Sequence, residues 1–208
     1  MKILICDDHK IVRDGLRKIL QQLSGSVSFT EAGDGKEAMA RLKKDACDMV
    51  LLDISLPDRS GLDVLQSIKL KWPSVNVLML SMHPQDLYAI RALKLGASGY
   101  LTKDAASEEL LLAVKKVAEG GKYISQSLAE GLATHLDKDI FRNRHDNLSV
   151  REFEIMIKLA KGETLQEIGN SLCISGKTVS TYRTRVVEKM KLKKNTEFTR
   201  YCIENHLI

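Results

Sequence analysis

The chain has 208 residues, of which 44% are hydrophobic and 28% charged, with only three prolines. That length suits two compact domains and a tether, and the composition excludes a disordered or collagen-like chain. No apolar run approaches the ~18 residues a membrane span needs. The opening Met-Lys-Ile-Leu-Ile-Cys-Asp-Asp also lacks the apolar stretch and cleavage site of a signal peptide. A cytoplasmic location with no membrane partner is therefore expected. The four cysteines form no C-x-x-C pair and read as buried, reduced thiols, not as a zinc or disulfide framework.

From the N-terminus, short β-rich apolar runs occur at Ile3–Cys6, Val27–Ala32, Met49–Leu52, Val75–Leu80 and Gly99–Leu101. Segments of helical period lie near 10–22, 35–45, 61–71, 85–95 and 106–119. Strict alternation of this kind predicts an α/β domain over 1–121: a flavodoxin-like, doubly wound, five-stranded parallel sheet covered on both faces. Residues 122–147 break the alternation and read as a linker, with Leu128, Leu132 and Leu136 spaced for a short helix. Beyond it no strand pattern remains. Four helices, near 149–161, 164–172, 176–190 and 196–205, predict a small all-α domain over 148–208.

In a doubly wound sheet the functional crevice lies at the carboxyl ends of the strands. There the chain places Asp7 and Asp8, Asp53, Ser81 and Lys103. Crowded carboxylates repel unless a cation joins them, and Mg²⁺ suits a few carboxylates, retained waters and a phosphate. With the metal bound, Asp53 is a plausible nucleophile toward a phosphoryl donor, with Ser81 and Lys103 on the transferred group. Any one of these acids could simply be a turn residue; their joint placement is what argues for a site.

Asp7-Asp8, Asp53 with Pro57 and Gly61, Ser81, and Gly96 through Lys103 together resemble the receiver domain of bacterial two-component response regulators. The resemblance implies that Asp53 accepts phosphate from a histidine kinase. It also implies that Asp8, Asp53 and the Ser55 carbonyl ligate Mg²⁺, with Asp7 acting through water. Lys103 would hold a phosphoryl oxygen, and Ser81 and Tyr100 would form a switch pair. A rival, a flavodoxin-type electron carrier, would need hydroxyls and N–H groups after the first strand for the flavin phosphate; Asp7-Asp8 there would repel it.

The formal charge of +5 is unevenly spread: residues 148–208 hold 11 Lys and Arg against 7 Asp and Glu, while the remainder nearly balances. Local surplus of this sort points to a polyanionic partner, although a charge run alone is usually a solvated face. Glu167–Met190 reads helix, short turn, helix, with Val179, Val186 and Met190 on one side of the second helix. Opposite lie Lys177, Thr181, Thr184 and Glu188, flanked by Ser180 and Arg185, a polar and mostly cationic face: hydroxyls for base edges and cations for phosphates. Lys189 joins the cationic set, and Arg183 leans toward the core, which suits a phosphate or packing role.

Leu148-Ser149-x-Arg151-Glu152, Gly162-x-Thr164-x-x-Glu167-Ile168, Leu172-x-Ile174-Ser175, Lys177-Thr178-Val179 and Lys189-Met190 resemble the LuxR-type DNA-binding domain. Joined to a receiver, it makes the chain similar to NarL/FixJ-class transcriptional regulators. Departures fall at Ser180, Tyr182 and Gly169, where Lys, His and Ala are frequent; the first two bear on the target sequence, and Gly169 should slightly weaken its helix. Phe198, Tyr201, Cys202 and Ile203 on the last helix read first as core, and by the resemblance partly as a dimer contact. The expectation is a regulator, not an enzyme: double-stranded DNA and a histidine kinase as partners, a homodimer when phosphorylated and bound to paired half-sites, and RNA polymerase as a candidate contact. A regulator of the same architecture that needs no phosphate is the runner-up.

Overall fold

The alternating apolar runs become a parallel sheet of five strands: β1 (Lys2–Cys6), β2 (Ser28–Ala32), β3 (Met49–Asp53), β4 (Asn76–Ser81) and β5 (Gly99–Thr102). Between and after them lie α1 (Lys10–Leu20), α2 (Gly35–Lys44), α3 (Gly61–Lys71), α4 (Gln85–Lys94) and α5 (Ser107–Ala118). This computed structural model describes residues 1–82, 85–125, 129, 144–172, 174–205 and 207–208. The expected helix at Leu128, Leu132 and Leu136 lies outside the described residues. The chain divides into two compact units, Met1–His135 and Leu136–Ile208, a division that falls inside the segment 122–147.

In the first unit the strand order is β2-β1-β3-β4-β5, so the winding direction reverses between β1 and β3. There the carboxyl ends of two neighbouring strands part to leave a crevice. Ile3, Ile5, Leu51, Leu78, Leu80 and Leu101 form one face of the core with Leu110, Ala113, Val114 and Val117 of α5. The alternate residues Leu4, Val50, Leu52, Val77 and Met79 are equally buried, so these strands lack an outward polar face, as a sheet covered on both sides requires. Tyr123, in the expected linker, stays with this unit: it bridges to Gly99, and its N–H donates to the Ser98 carbonyl at 2.9 Å. A Cβ on Gly99 would come within 2.7 Å of the Tyr123 carbonyl, so the glycine admits this close pass.

The described residues of the second unit open with a 3₁₀ turn (Arg144–Asn147) and continue as α6 (Val150–Ala160), α7 (Leu165–Ser171), α8 (Gly176–Met190) and α9 (Asn195–Glu204). Its helix starts are written in the sequence. Ser149 and Thr164 each cap a helix while Glu152 and Glu167, three residues on, reach back to the cap's own N–H, the reciprocal box that satisfies two otherwise unpaired donors. Ser175 caps α8 by accepting from the Thr178 N–H. Ile168, Val179, Val186, Met190, Phe198 and Cys202 are completely buried, which assigns Phe198 and Cys202 to the core, whereas Ile203 is exposed. Gly169 does more than lower helix propensity. A Cβ there would lie 2.7 Å from the Ile174 carbonyl, so the missing side chain lets α7 close tightly on the turn.

Among the cysteines, Cys6 and Cys202 are buried free thiols as expected, and Cys173 lies outside the described residues. Cys47 departs from the expectation: it is free but only half-buried, because it sits in the loop before β3 instead of in a strand. Among the described residues no helix is long and apolar enough to cross a membrane.

Candidate functional site

The crevice at the carboxyl end of the sheet is assembled by backbone bonds that tie strand ends together. The Lys103 N–H donates to the Ser81 carbonyl at 2.7 Å, the Ile54 N–H to the Leu80 carbonyl at 3.0 Å and the Asp7 N–H to the Ala32 carbonyl at 3.1 Å. Into it project Asp7 and Asp53, with side chains only 1% and 2% exposed, and Lys103 at 9%. The Lys103 ammonium lies 2.6 Å from Asp7 Oδ2 and 2.7 Å from Asp53 Oδ2, bridging the two carboxylates. The other Asp53 oxygen accepts from the Ser55 N–H at 3.2 Å.

Burial pushes the Asp53 carboxyl above the usual range, and the charge of Asp7 adds to this, while Lys103 pulls it back. For Lys103, burial alone would depress the ammonium, but its hydrogen bonds to Asp53 and Asp7 prevail and hold it above an ordinary lysine. Two buried carboxylates therefore share one ammonium, and the crevice still has room for positive charge.

Asp8 is more open and is approached by His9 Nδ1 at 2.7 Å from its Oδ1, and the His9 N–H donates to Asp7 Oδ1 at 2.9 Å. Asp7, Asp8 and His9 bring possible ligand atoms within 4.8 Å of one another. Carboxylate oxygens with a charge deficit of this kind fit a hard divalent cation such as Mg²⁺. Of the expected switch pair, Ser81 ends β4 opposite Thr102, and Tyr100 lies within the neighbouring β5 opposite Met79; both are buried, Tyr100 completely. Ser55 is exposed on the loop after β3.

Three contributors have no signal of their own in the sequence. His9 follows the acid pair at the start of α1. Arg13 donates through Nη1 to the Asp7 carbonyl at 2.7 Å and through Nε to Glu31 at 2.9 Å. Asp58 accepts from the Gly35 and Lys36 N–H groups at 2.8 and 3.0 Å, so the loop after β3 is fastened to the start of α2.

On the second unit, Lys177, Ser180, Thr181, Thr184, Arg185 and Lys189 are exposed along α8, while Arg183 is half-buried with its Nη2 3.4 Å from Asn195 Oδ1. The hydroxyls of Thr181 and Thr184 donate back to the carbonyls of Lys177 and Ser180 at 3.1 and 3.2 Å, which leaves their oxygens outward as acceptors.

Lys189 stands apart from this set, because its ammonium lies 2.6 Å from Glu152 Oε2, whose side chain is only 4% exposed. It therefore works as a clasp between α8 and the start of α6. Burial would raise the Glu152 carboxyl, but Lys189 and Ser149 together hold it below the usual range. Its stabilising contribution is thus present above the ordinary carboxylate pKa and lost as pH falls through the lowered value. Lys189→Met should cost the second unit about 1–2 kcal/mol near neutral pH, with the difference from wild type shrinking as the solution is acidified; urea unfolding followed by circular dichroism at several pH values measures it.

Arg151 is a second clasp. Its Nη1 meets Glu154 at 3.0 Å and its Nη2 donates to the Leu172 carbonyl at 2.9 Å, fixing the end of α7 where the turn into α8 begins.

The family model for the response regulator receiver domain matches residues 3–115, and that for bacterial regulatory proteins of the luxR family matches residues 146–202. The chain is 33% identical over its whole length to the response regulator UvrY of Escherichia coli K12, covering 95% of that protein. It is 31% identical to the response regulator GacA of Pseudomonas aeruginosa, covering 98% of it. Among solved structures, RcsB of Salmonella enterica serovar Typhimurium, bound to a promoter in the presence of the phosphomimetic BeF3-, has a TM-score of 0.63 at 26% identity, with 97% of each chain covered.

Proposed function

Because the chain belongs to the two-component response regulators that join a receiver domain to a LuxR-type DNA-binding domain, we propose that it is a transcriptional regulator switched by phosphorylation of Asp53. In this reading residues 1–121 receive the signal, 122–147 tether, and 148–208 bind DNA. The reading is carried by one observation: Lys103 bridges Asp7 and Asp53 at 2.6 and 2.7 Å where the sheet reverses direction.

An Asp53 carboxylate oxygen forms the new bond to phosphorus, and the bond from phosphorus to the donor breaks, its electron pair leaving with the donor. The donor is a phosphohistidine of a histidine kinase. Asp8, Asp53 and the Ser55 carbonyl would hold Mg²⁺, with Asp7 through water. The metal supplies the positive charge that offsets the crowded carboxylates and the phosphoryl oxygens. Lys103, already within hydrogen-bond reach of Asp53, passes its ammonium to a phosphoryl oxygen, and Ser81 donates to another.

Ser81 and Tyr100 carry the change to the surface around β4 and β5, a local charge event biasing a two-state element. Phosphorylated receivers pair, and pairing tethers two helical domains. The second half-site contact on double-stranded DNA then becomes intramolecular. Lys177, Ser180, Thr181, Arg183, Thr184 and Arg185 face the DNA, RNA polymerase is a candidate contact of the bound dimer, and the protein works in the cytoplasm.

Incubation with Mg²⁺ and acetyl phosphate should add one phosphoryl group to the wild type and none to Asp53→Asn. Equal gains in intact mass for both would overturn the assignment.

A further inference from the structure

We propose that Tyr182 is a positioning residue that holds Arg185 for contact with the DNA backbone. The proposal rests on the reading of α8 as the DNA-facing helix and deepens it. The guanidinium carbon of Arg185 lies over the Tyr182 ring, 5.6 Å from its centroid, within the range in which the negative face of an aromatic ring attracts a cation.

Their places on the helix explain the division of labour. At about 100° per residue, Tyr182 stands roughly 60° from Val179, at the border of the buried face, and Arg185 roughly 60° further toward the polar face. Accordingly Tyr182 is half-buried, Arg185 is exposed and Val179 is completely buried. The ring thus stands on the core side of the guanidinium, between it and the buried face that carries Val179.

An arginine on a helix surface has a long flexible stem, and freezing it on contact costs part of the binding free energy. A ring already stacked against it removes part of that cost before DNA arrives. The arrangement matters on this flank because the neighbouring cation, Lys189, is committed to Glu152 at 2.6 Å.

The chemistry served is a phosphate contact, because Arg185 stands off the centre of the polar face occupied by Lys177, Thr181 and Thr184. Ring and cation therefore set affinity on any duplex more than the choice of sequence.

The test uses the full-length chain with Mg²⁺ and acetyl phosphate, and a fluorescent duplex that the wild type has selected from a randomised pool. Anisotropy at several salt concentrations is read for Tyr182→Leu, Tyr182→Phe, Arg185→Ala, Arg185→Lys and the double variant Tyr182→Leu/Arg185→Ala. Arg185→Ala should weaken binding and reduce the slope of log K against log salt by about 0.9. Tyr182→Leu should weaken binding about two- to fivefold with the slope unchanged, because the charge is still there. Tyr182→Phe should stay close to wild type. Arg185→Lys, which leaves the tyrosine untouched, should keep the slope and lose an amount similar to Tyr182→Leu. Added to Arg185→Ala, Tyr182→Leu should have no further effect.

The proposal is overturned if Tyr182→Leu costs the same factor with and without Arg185, or if Tyr182→Phe loses as much as Tyr182→Leu, since the hydroxyl would then touch DNA itself. It is also overturned if Arg185→Ala binds like wild type, which leaves DNA binding by the chain standing. A wild type that selects no duplex from the pool would instead remove the DNA-facing reading, and the proposal with it.

Discussion

Lys103→Met should destabilise the receiver unit by about 3 kcal/mol or more at neutral pH, within the range seen when one partner of a buried ion pair is removed. The ammonium is what makes two almost fully buried carboxylates tolerable together. Without it, Asp7 and Asp53 face each other in a poor solvent for charge, and one of them must take a proton.

The pH dependence follows in sign. Lys103 is held above an ordinary lysine by its two carboxylates, so its contribution is fully present below the ordinary lysine pKa and lost only as alkaline pH passes through the raised value. Near neutral pH the substitution therefore removes all of it. Asp53 is displaced upward, by burial first, so the folded state favours its protonated form; stability is higher at acid pH and falls as pH rises through the raised value. Losing Lys103 raises that value further. The variant should therefore lose stability between weakly acidic and neutral pH more steeply than the wild type.

Trp72, the sole tryptophan, lies at the end of α3 and reports unfolding of the first unit. Its fluorescence in urea gives the measurement. Adding Asp53→Asn to Lys103→Met should restore most of the loss, because it removes one of the two charges left without a partner. If the double variant is no more stable than Lys103→Met, the carboxylate pair is not the source of the cost.

Gly61→Ala should be nearly as damaging, for a steric reason. A Cβ at this first residue of α3 would lie 1.9 Å from the Asp53 carbonyl oxygen and 2.8 Å from the Ile54 Cα. Neither is the movable end of a side chain. The Gly61 N–H also donates to the Ile54 carbonyl at 2.7 Å, which holds the helix start against the end of β3. Making room would force the two backbones apart, at a cost of about 3 kcal/mol, and the residue displaced is Asp53.

A melting temperature lowered by about 10 °C is expected, together with slower uptake of phosphate from acetyl phosphate. Gly15→Ala is the control. Gly15 lies inside α1 with nothing within 4 Å of an added Cβ, so the same chemical change there should stabilise by about 0.5–1 kcal/mol. Equal effects at the two positions would refute the close approach at Gly61.

The crevice was legible in the sequence because its parts lie at strand ends, and strand ends are marked locally. The apolar runs stop at Cys6, Leu52, Leu80 and Leu101, and the polar residues that follow project from the same edge of any parallel sheet. The starts of α6, α7 and α8 were legible for the same reason, since Ser149, Thr164 and Ser175 cap them from within the next three residues.

What could not be read depends on contacts that no regular spacing in the chain announces. Lys189 belongs to the basic run, and only the fold brings it to Glu152, 37 residues away, which turns an expected phosphate contact into a clasp. Tyr123 lies in a segment that breaks the alternation, yet Gly99 leaves a gap beside β5 that it fills. Gly169 looks like a weak point in a helix until the carbonyl of Ile174 is seen where its side chain would be. In each case the deciding contact joins residues whose spacing has no helical or strand period, so no local pattern announces it.

The most direct test of the account is the affinity of the full-length chain for a duplex selected from a randomised pool, with and without acetyl phosphate in the presence of Mg²⁺, for wild type and Asp53→Asn. The account predicts about a tenfold or greater rise in affinity for the phosphorylated wild type and none for Asp53→Asn. Equal affinity of the wild type in both conditions, with the phosphoryl group shown by mass to be on Asp53, would contradict it.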